Sequence, residues 1–210
     1  MKKVMIFIDG SNVFFDWQKV NPNKNEKFDP YNYIQLVKEK VKTKYAEADI
    51  DVEFGRTYYF ATETEKNKKV FAYLKKQPYV DVKLGYLDNQ DINITEKNEL
   101  ICEECHKIVT GPTHIEKDKG TDVNIAVEML MRGFQKEYDI AVLATRDADF
   151  ISVIEALKKI GRNVEIVLFD DENTKKTKLT DHADDQILIF KNEYAQCFQK
   201  QSTEKGDGLC

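Results

Sequence analysis

VMIFIDGSN, residues 4 to 12, sets five apolar residues in a row and then passes through Asp9 and Gly10 into Ser11 and Asn12. A strand that is oily on both faces marks a parallel sheet covered on two sides, because a strand with one wet face alternates apolar and polar side chains. DIAVLATRD (139–147) and NVEIVLF (163–169) share this character, and QILIF (186–190) reads as a final strand. Two of these runs end in acidic residues: Asp9 closes the first, Asp147 the second.

Helical periods stand between the strands. FFDWQKV (14–20) reads as a short helix, and residues 31–48 place Tyr33, Leu36, Val37, Val41 and Tyr45 close to helical spacing behind an Asp29-Pro30 start signal. VEFGRTYYFAT (52–62) and VDVKLGYL (80–87) read as strands, with a helix over 65–77 between them that stops at Pro78. Residues 88–119 are polar and break the rhythm. It resumes with helices over 121–138 and 149–161, the second capped by Gly161, then a short helix around 179–185 and one at the C-terminal end. Strands alternating with helices predict an α/β fold, a doubly wound, mainly parallel sheet flanked by helices on both faces. One domain is expected over residues 1–195, with an insert at about 88–119 and a flexible tail from 196 to 210.

The chain has 210 residues, of which 41% are hydrophobic, enough for a substantial core. Its net charge of -5 argues against a protein that coats duplexes non-specifically, which needs a positive excess. No apolar run reaches membrane-span length, and the stretch behind Lys2 and Lys3 is too short for a signal peptide. Four cysteines (Cys102, Cys105, Cys197 and Cys210) do not make a disulfide framework, so a cytoplasmic location is expected.

In open parallel sheets ligands bind outside the carboxyl ends of the strands. Asp9 with Asn12, Asp147 with Asp149, and Asp122 at the start of a helix would therefore meet at one edge. Clustered carboxylates repel one another unless a cation neutralises them, and an all-oxygen donor set with no matching His or Cys suits Mg²⁺ or Mn²⁺. Such an ion suits phosphoryl chemistry. The bland reading of each residue is local: Asp122 and Asp149 as helix caps, Asp9 as an Asx-turn, with Gly10 supplying a sharp bend.

FIDGSN, KGTDVNIAVEML and VLATRDADFISVIEALKKIGRNVEIV, with LTDHADDQILIF further on, resemble in order the blocks of the NYN family of PIN-like nuclease domains. The resemblance spans about residues 3 to 191 and implies a PIN-like fold and metal-dependent cleavage of RNA, with RNA as partner. It implies catalytic and metal-binding roles for Asp9, Asp122 and Asp147, with Asp149 as a fourth ligand. Asn12 would orient water or a phosphate, and Thr145 would hold the acidic loop. Where the family usually has Gly, this chain has Arg146, which could pair with Asp147 or Asp149, contact the phosphate, or occupy the site and lower activity.

Ser11, Lys119, Thr145, Arg146 and Trp17 are the candidate substrate contacts, with Tyr86, whereas Phe14 and Phe15 are assigned to the core. Cys102, Cys105, His106 and His114 are candidate ligands of a structural Zn²⁺ in a hairpin insert. The alternative is a surface hairpin with two free thiols. The reading is a metal-dependent ribonuclease, an endonuclease in kind. Its rival is an RNA-binding NYN domain that cleaves weakly or not at all. A phosphohydrolase of the haloacid-dehalogenase type would need D-x-D at the first strand, and Asp9 is followed by Gly10 and Ser11. Oligomeric state, a homodimer included, is left open.

Overall fold

The computed structural model describes residues 1–20, 27–65, 67–94, 100–101, 108–109, 111–170, 177–194 and 197. In chain order the elements are β1 (Lys2–Asp9), α1 (Gly10–Val20), α2 (Pro30–Glu47), β2 (Val52–Thr62), α3 (Lys68–Leu74) and β3 (Val80–Ile94). There follow β4 (Leu100–Ile101), β5 (Ile108–Val109), β6 (Gly111–Lys119), α4 (Thr121–Phe134) and β7 (Ile140–Ala144). The chain continues with α5 (Ile151–Lys159), β8 (Asn163–Asp170), β9 (Asp185–Phe190) and α6 (Lys191–Tyr194).

Seven strands form one sheet in the order β6-β3-β2-β1-β7-β8-β9. Six of them, from β3 to β9, are mutually parallel, and β6 closes the β3 edge antiparallel. β1 lies centrally because it is apolar on both faces. Val4, Ile6 and Ile8 pack into one layer with Val13 and Trp17 of α1, Ile34 and Val37 of α2, and Leu74 of α3. Met5 and Phe7 pack into the other with Ile125 and Met129 of α4 and Ile154 and Leu157 of α5. Each such side chain removed from water contributes about 1.5–3 kcal/mol, and the period of two lets one strand supply both cores.

Local signals act as anticipated at several ends. Asp29 caps α2, its carboxylate accepting the N–H groups of Tyr31 at 2.9 Å and Asn32 at 3.3 Å. Gly161 follows α5 at φ 77°. Lys44 on α2 ties the sheet's far flank, with its ammonium 3.0 Å from Glu165 and 2.7 Å from Asp185.

Three expectations need correction. The polar stretch from residue 88 is not a break: β3 runs on to Ile94 and pairs with β6 from Tyr86↔Lys119 to Ile94↔Gly111. An antiparallel edge strand needs few apolar residues, so DNQDINI gave no strong signal. The helix expected around 179–185 is a single tight turn, Lys178–Asp181. α1 starts at Gly10, immediately after β1, which sets its phase so that Val13, Asp16 and Trp17 face inward. Trp17 is therefore a core residue, 6% exposed, whereas Phe14 and Phe15 are 40% and 61% exposed.

Candidate functional site

The strand order reverses between β1 and β7, because the chain leaves β1 towards β2 and β3 and later returns on β1's other side. Such a switch point opens a crevice at the carboxyl ends of the two strands. Ile8 stands opposite Ala144, so Asp9 emerges beside Thr145. No loop separates β1 from α1, and Gly10 permits this. A Cβ on Gly10 would lie 2.6 Å from Tyr59 Cε1 and 2.8 Å from the Phe60 carbonyl oxygen. Gly10 is thus required by close approach, not by the bend in the chain that its position suggested.

Asp9 is 2% exposed, and four donors surround its carboxylate. Oδ1 accepts the N–H groups of Ser11 and Asn12, each at 3.1 Å. Oδ2 accepts the Asn12 side-chain amide at 2.6 Å and the Thr145 hydroxyl at 3.0 Å. The Asx-turn and the cross-strand contact therefore coexist on one carboxyl group. Burial still dominates and raises the pKa of Asp9 above the ordinary carboxylate value, although these hydrogen bonds lower it. Burial, with the Asp9 charge beside it, likewise keeps the Tyr59 phenol protonated.

Thr145 connects the two acidic segments. Its hydroxyl donates to Asp9 and accepts the Asp147 N–H at 3.3 Å. Asp147 Oδ1 in turn accepts the Asp149 N–H at 2.9 Å and caps the turn at Ala148–Phe150. Asp147, not Asp149, is the capping residue here. Asp149 is exposed at the rim.

Arg146 does not pair with Asp147 or Asp149. Its guanidinium donates from Nη2 to the Phe169 carbonyl oxygen on β8 and sets Nε 3.1 Å from Asp16 Oδ2 on α1. Lys19 holds the other oxygen of Asp16 at 2.9 Å. Asp16 is 7% exposed and was missed in the sequence. The only available signal was its four-residue spacing from Asn12 on a short helix.

The start of α4 lies at the same edge of the sheet, on the β3 side. The last β2–β3 pair is Thr62↔Gly85, and Tyr86 then stands opposite Lys119. Gly120 follows in the left-handed region at φ 82°, with Tyr86 Cε1 3.3 Å from where its Cβ would be. Thr121 is buried, Asp122 is exposed in the first turn of α4, and Tyr86 is 64% exposed. From there α4 crosses back over β3, β2 and β1. Asp9, Asn12, Thr145 and Asp147 thus form one hydrogen-bonded unit, with Ser11 in its backbone and Asp149 at its rim. Asp122 and Lys119 come from a separate segment at the same edge.

Among the described residues, no three His, Cys, Asp or Glu side chains stand together closely enough to hold one metal ion. The donors at the switch point are nonetheless all oxygen. Magnesium is commonly held by one or two carboxylates, with water and substrate phosphate completing its shell; Asp9 and Asp147 are carboxylates of that kind on segments joined by Thr145, and the Asp9 oxygens here accept four hydrogen bonds. Cys102, Cys105 and His106 lie outside the described residues, and His114 is placed in β6 opposite Asp91. Cys197 is buried, its thiol pushed up to about 12 chiefly by burial and secondarily by Asp29. No helix among the described residues is long and apolar enough to cross a membrane.

The family model of the NYN domain matches residues 3–190. Among curated proteins none matches this chain. A crystal structure of a protein of unknown function from Vibrio parahaemolyticus is similar with a TM-score of 0.55 at 16% identity, covering 94% of this chain and 96% of that one. This likeness extends to the fold alone. A Sir2 enzyme structure aligns over 93% of this chain and 90% of its own at 11% identity, and its TM-score of 0.35 carries no argument.

Proposed function

The chain belongs to the NYN domain family, and on that premise we propose that it is a Mg²⁺- or Mn²⁺-dependent ribonuclease, an endonuclease in kind. The supporting observation is the hydroxyl of Thr145, which joins the carboxyl end of β1 to that of β7 by contacting Asp9 and the Asp147 backbone together. Asp9 and Asp147 would hold the cation, with Asp149 and Asp122 contributing from the rim directly or through water. A divalent ion bound there polarises the scissile phosphate and makes water a better nucleophile.

The remaining work falls to this chain's own side chains. The Asn12 amide, already fixed against Asp9, would hold that carboxylate in one orientation as substrate arrives. Asp149 would accept a hydrogen bond from the attacking water. Lys119, at the end of β6, would meet the RNA backbone as a point charge. A cytoplasmic setting suits a sequence with four unevenly spaced cysteines. Structural zinc on Cys102, Cys105, His106 and His114 remains a separate proposal.

The rival reading, an RNA-binding domain without cleavage, drew on Arg146 standing in the acidic loop. Its pairing with Asp16 and Phe169 leaves Asp147 and Asp149 clear of it, which favours the enzyme. The test is incubation of labelled single-stranded RNA with the purified protein and Mn²⁺, with and without a chelator. Fragments that vanish with the chelator support the enzyme. Binding without fragments supports the rival.

A further inference from the structure

α1 begins at the carboxylate site and leads away from it, and its solvent side carries side chains that the site's chemistry does not use. Residues three, four and seven apart on a helix share a face. Asn12, Phe15 and Lys19 therefore form one stripe, with Phe15 about 4.5 Å and Lys19 about 10.5 Å beyond Asn12 along the axis. Asn12 is the residue whose amide contacts Asp9 at 2.6 Å. Phe15 is 61% exposed and stands outside the core layer that Val13 and Trp17 of the same helix enter. Phe14 projects elsewhere, stacked on Trp17 with centroids 5.4 Å apart. Lys19 gives the stripe its cation: its side chain is 56% exposed, and the inward-facing Asp16 with which it pairs at 2.9 Å is also paired with Arg146, two cations to one carboxylate.

An exposed phenyl ring beside a phosphate-directed site, with a cation one turn further on, matches what a single strand presents: a base face and then the next phosphate. A paired base inside a duplex has no free face to offer. We propose that Phe15 is a stacking platform for an unpaired base and that Lys19 contacts the neighbouring phosphate, so that the site takes single-stranded RNA. This rests on the carboxylate site being the one that receives RNA.

The test is fluorescence anisotropy with a labelled oligouridylate, alone and annealed to oligoadenylate, on the full chain carrying Asp147→Asn to suppress cleavage. Phe15→Ala is expected to weaken single-strand binding by about 5- to 150-fold, the worth of one stacked base. Phe15→Trp should retain it, and duplex binding should not change. Lys19→Ala should lower the salt dependence of single-strand binding by about 0.7. Phe15 is exposed, so an unchanged thermal midpoint is expected to accompany the loss. Undiminished single-strand binding by Phe15→Ala, or an equal loss on the duplex, would overturn the proposal.

Cleavage by the Asp147-containing chain is run alongside. If it cleaves while Phe15→Ala binds normally, stacking is refuted and the ribonuclease reading stands. If it cleaves nothing while Phe15→Ala loses single-strand binding, stacking is upheld and the ribonuclease reading fails.

Discussion

Arg146 Nε lies 3.1 Å from Asp16 Oδ2, joining the loop after β7 to the middle of α1. Arg146 also donates to the Phe169 carbonyl oxygen, so one side chain braces three segments around the switch point. These contacts lead us to expect a structural role for it. Arg146→Ala should lower stability by about 1–3 kcal/mol, or roughly 3–10 °C in Tm, because Asp16 stays buried with Lys19 as its one remaining ion-pair partner among the described residues. Cleavage per folded molecule should fall only a few-fold. A thermal melt and a rate normalised to folded protein check both parts, and an unchanged Tm with lost cleavage would place Arg146 on the substrate instead.

Thr145 is the residue whose loss should couple both acidic segments. Thr145→Val keeps the shape but takes a donor from Asp9 and an acceptor from the Asp147 N–H. The expected cost is about 1–3 kcal/mol, with cleavage reduced further than the unfolded fraction explains. Thr145→Ser should restore both. Equal stability and activity in Thr145→Val and the parent would show that the bridge is incidental.

Gly10→Ala reverses the usual rule that alanine strengthens a helix by up to about 1 kcal/mol over glycine. The added Cβ would meet the Phe60 carbonyl at 2.8 Å and the Tyr59 ring at 2.6 Å. We expect a net loss of about 1–3 kcal/mol by chemical denaturation. A stabilised Gly10→Ala would mean that α1 can shift away from β2 at no cost.

How much of this could be read from the sequence depended on how local each signal was. The apolar strands, the Asp29 cap and the acidic ends of β1 and β7 are short-range features, and the fold followed from them. The aromatic phase of α1 did not. Phe14, Phe15 and Trp17 occupy enough of one turn that the periodicity of VFFDW is ambiguous. The choice is made by the immediate start of the helix at Gly10 against Tyr59. The partner of Arg146 was equally hidden, since Asp16 is distant in sequence and meets it only through the β1–β7 pairing. From the sequence, Asp147, Asp149 and a bound phosphate stand equally open as its partner.

Acid stability should carry a contribution from Asp185. Burial raises its pKa, but the hydrogen bond from Lys44, the Gln186 N–H and the Lys44 charge together outweigh that and hold it below the ordinary value. A carboxylate depressed in the folded state contributes stability that is present above its unfolded pKa and lost as pH falls through the folded one. Denaturation midpoints measured from pH 7 downward should therefore fall less steeply in Asp185→Asn than in the parent. Parallel curves would remove Asp185 from the account.

We propose that RNA is cleaved at the carboxylates of the β1–β7 switch point. This is tested most directly by single-turnover cleavage of labelled single-stranded RNA in Mn²⁺ by the unaltered chain and by Asp147→Asn. That variant is nearly isosteric and keeps an oxygen for the Asp149 N–H, so its melting curve should match the parent's. We predict cleavage by the parent and a rate lower by about 100-fold or more in Asp147→Asn. Cleavage by Asp147→Asn at the parent's rate would show that the reaction does not take place at this site.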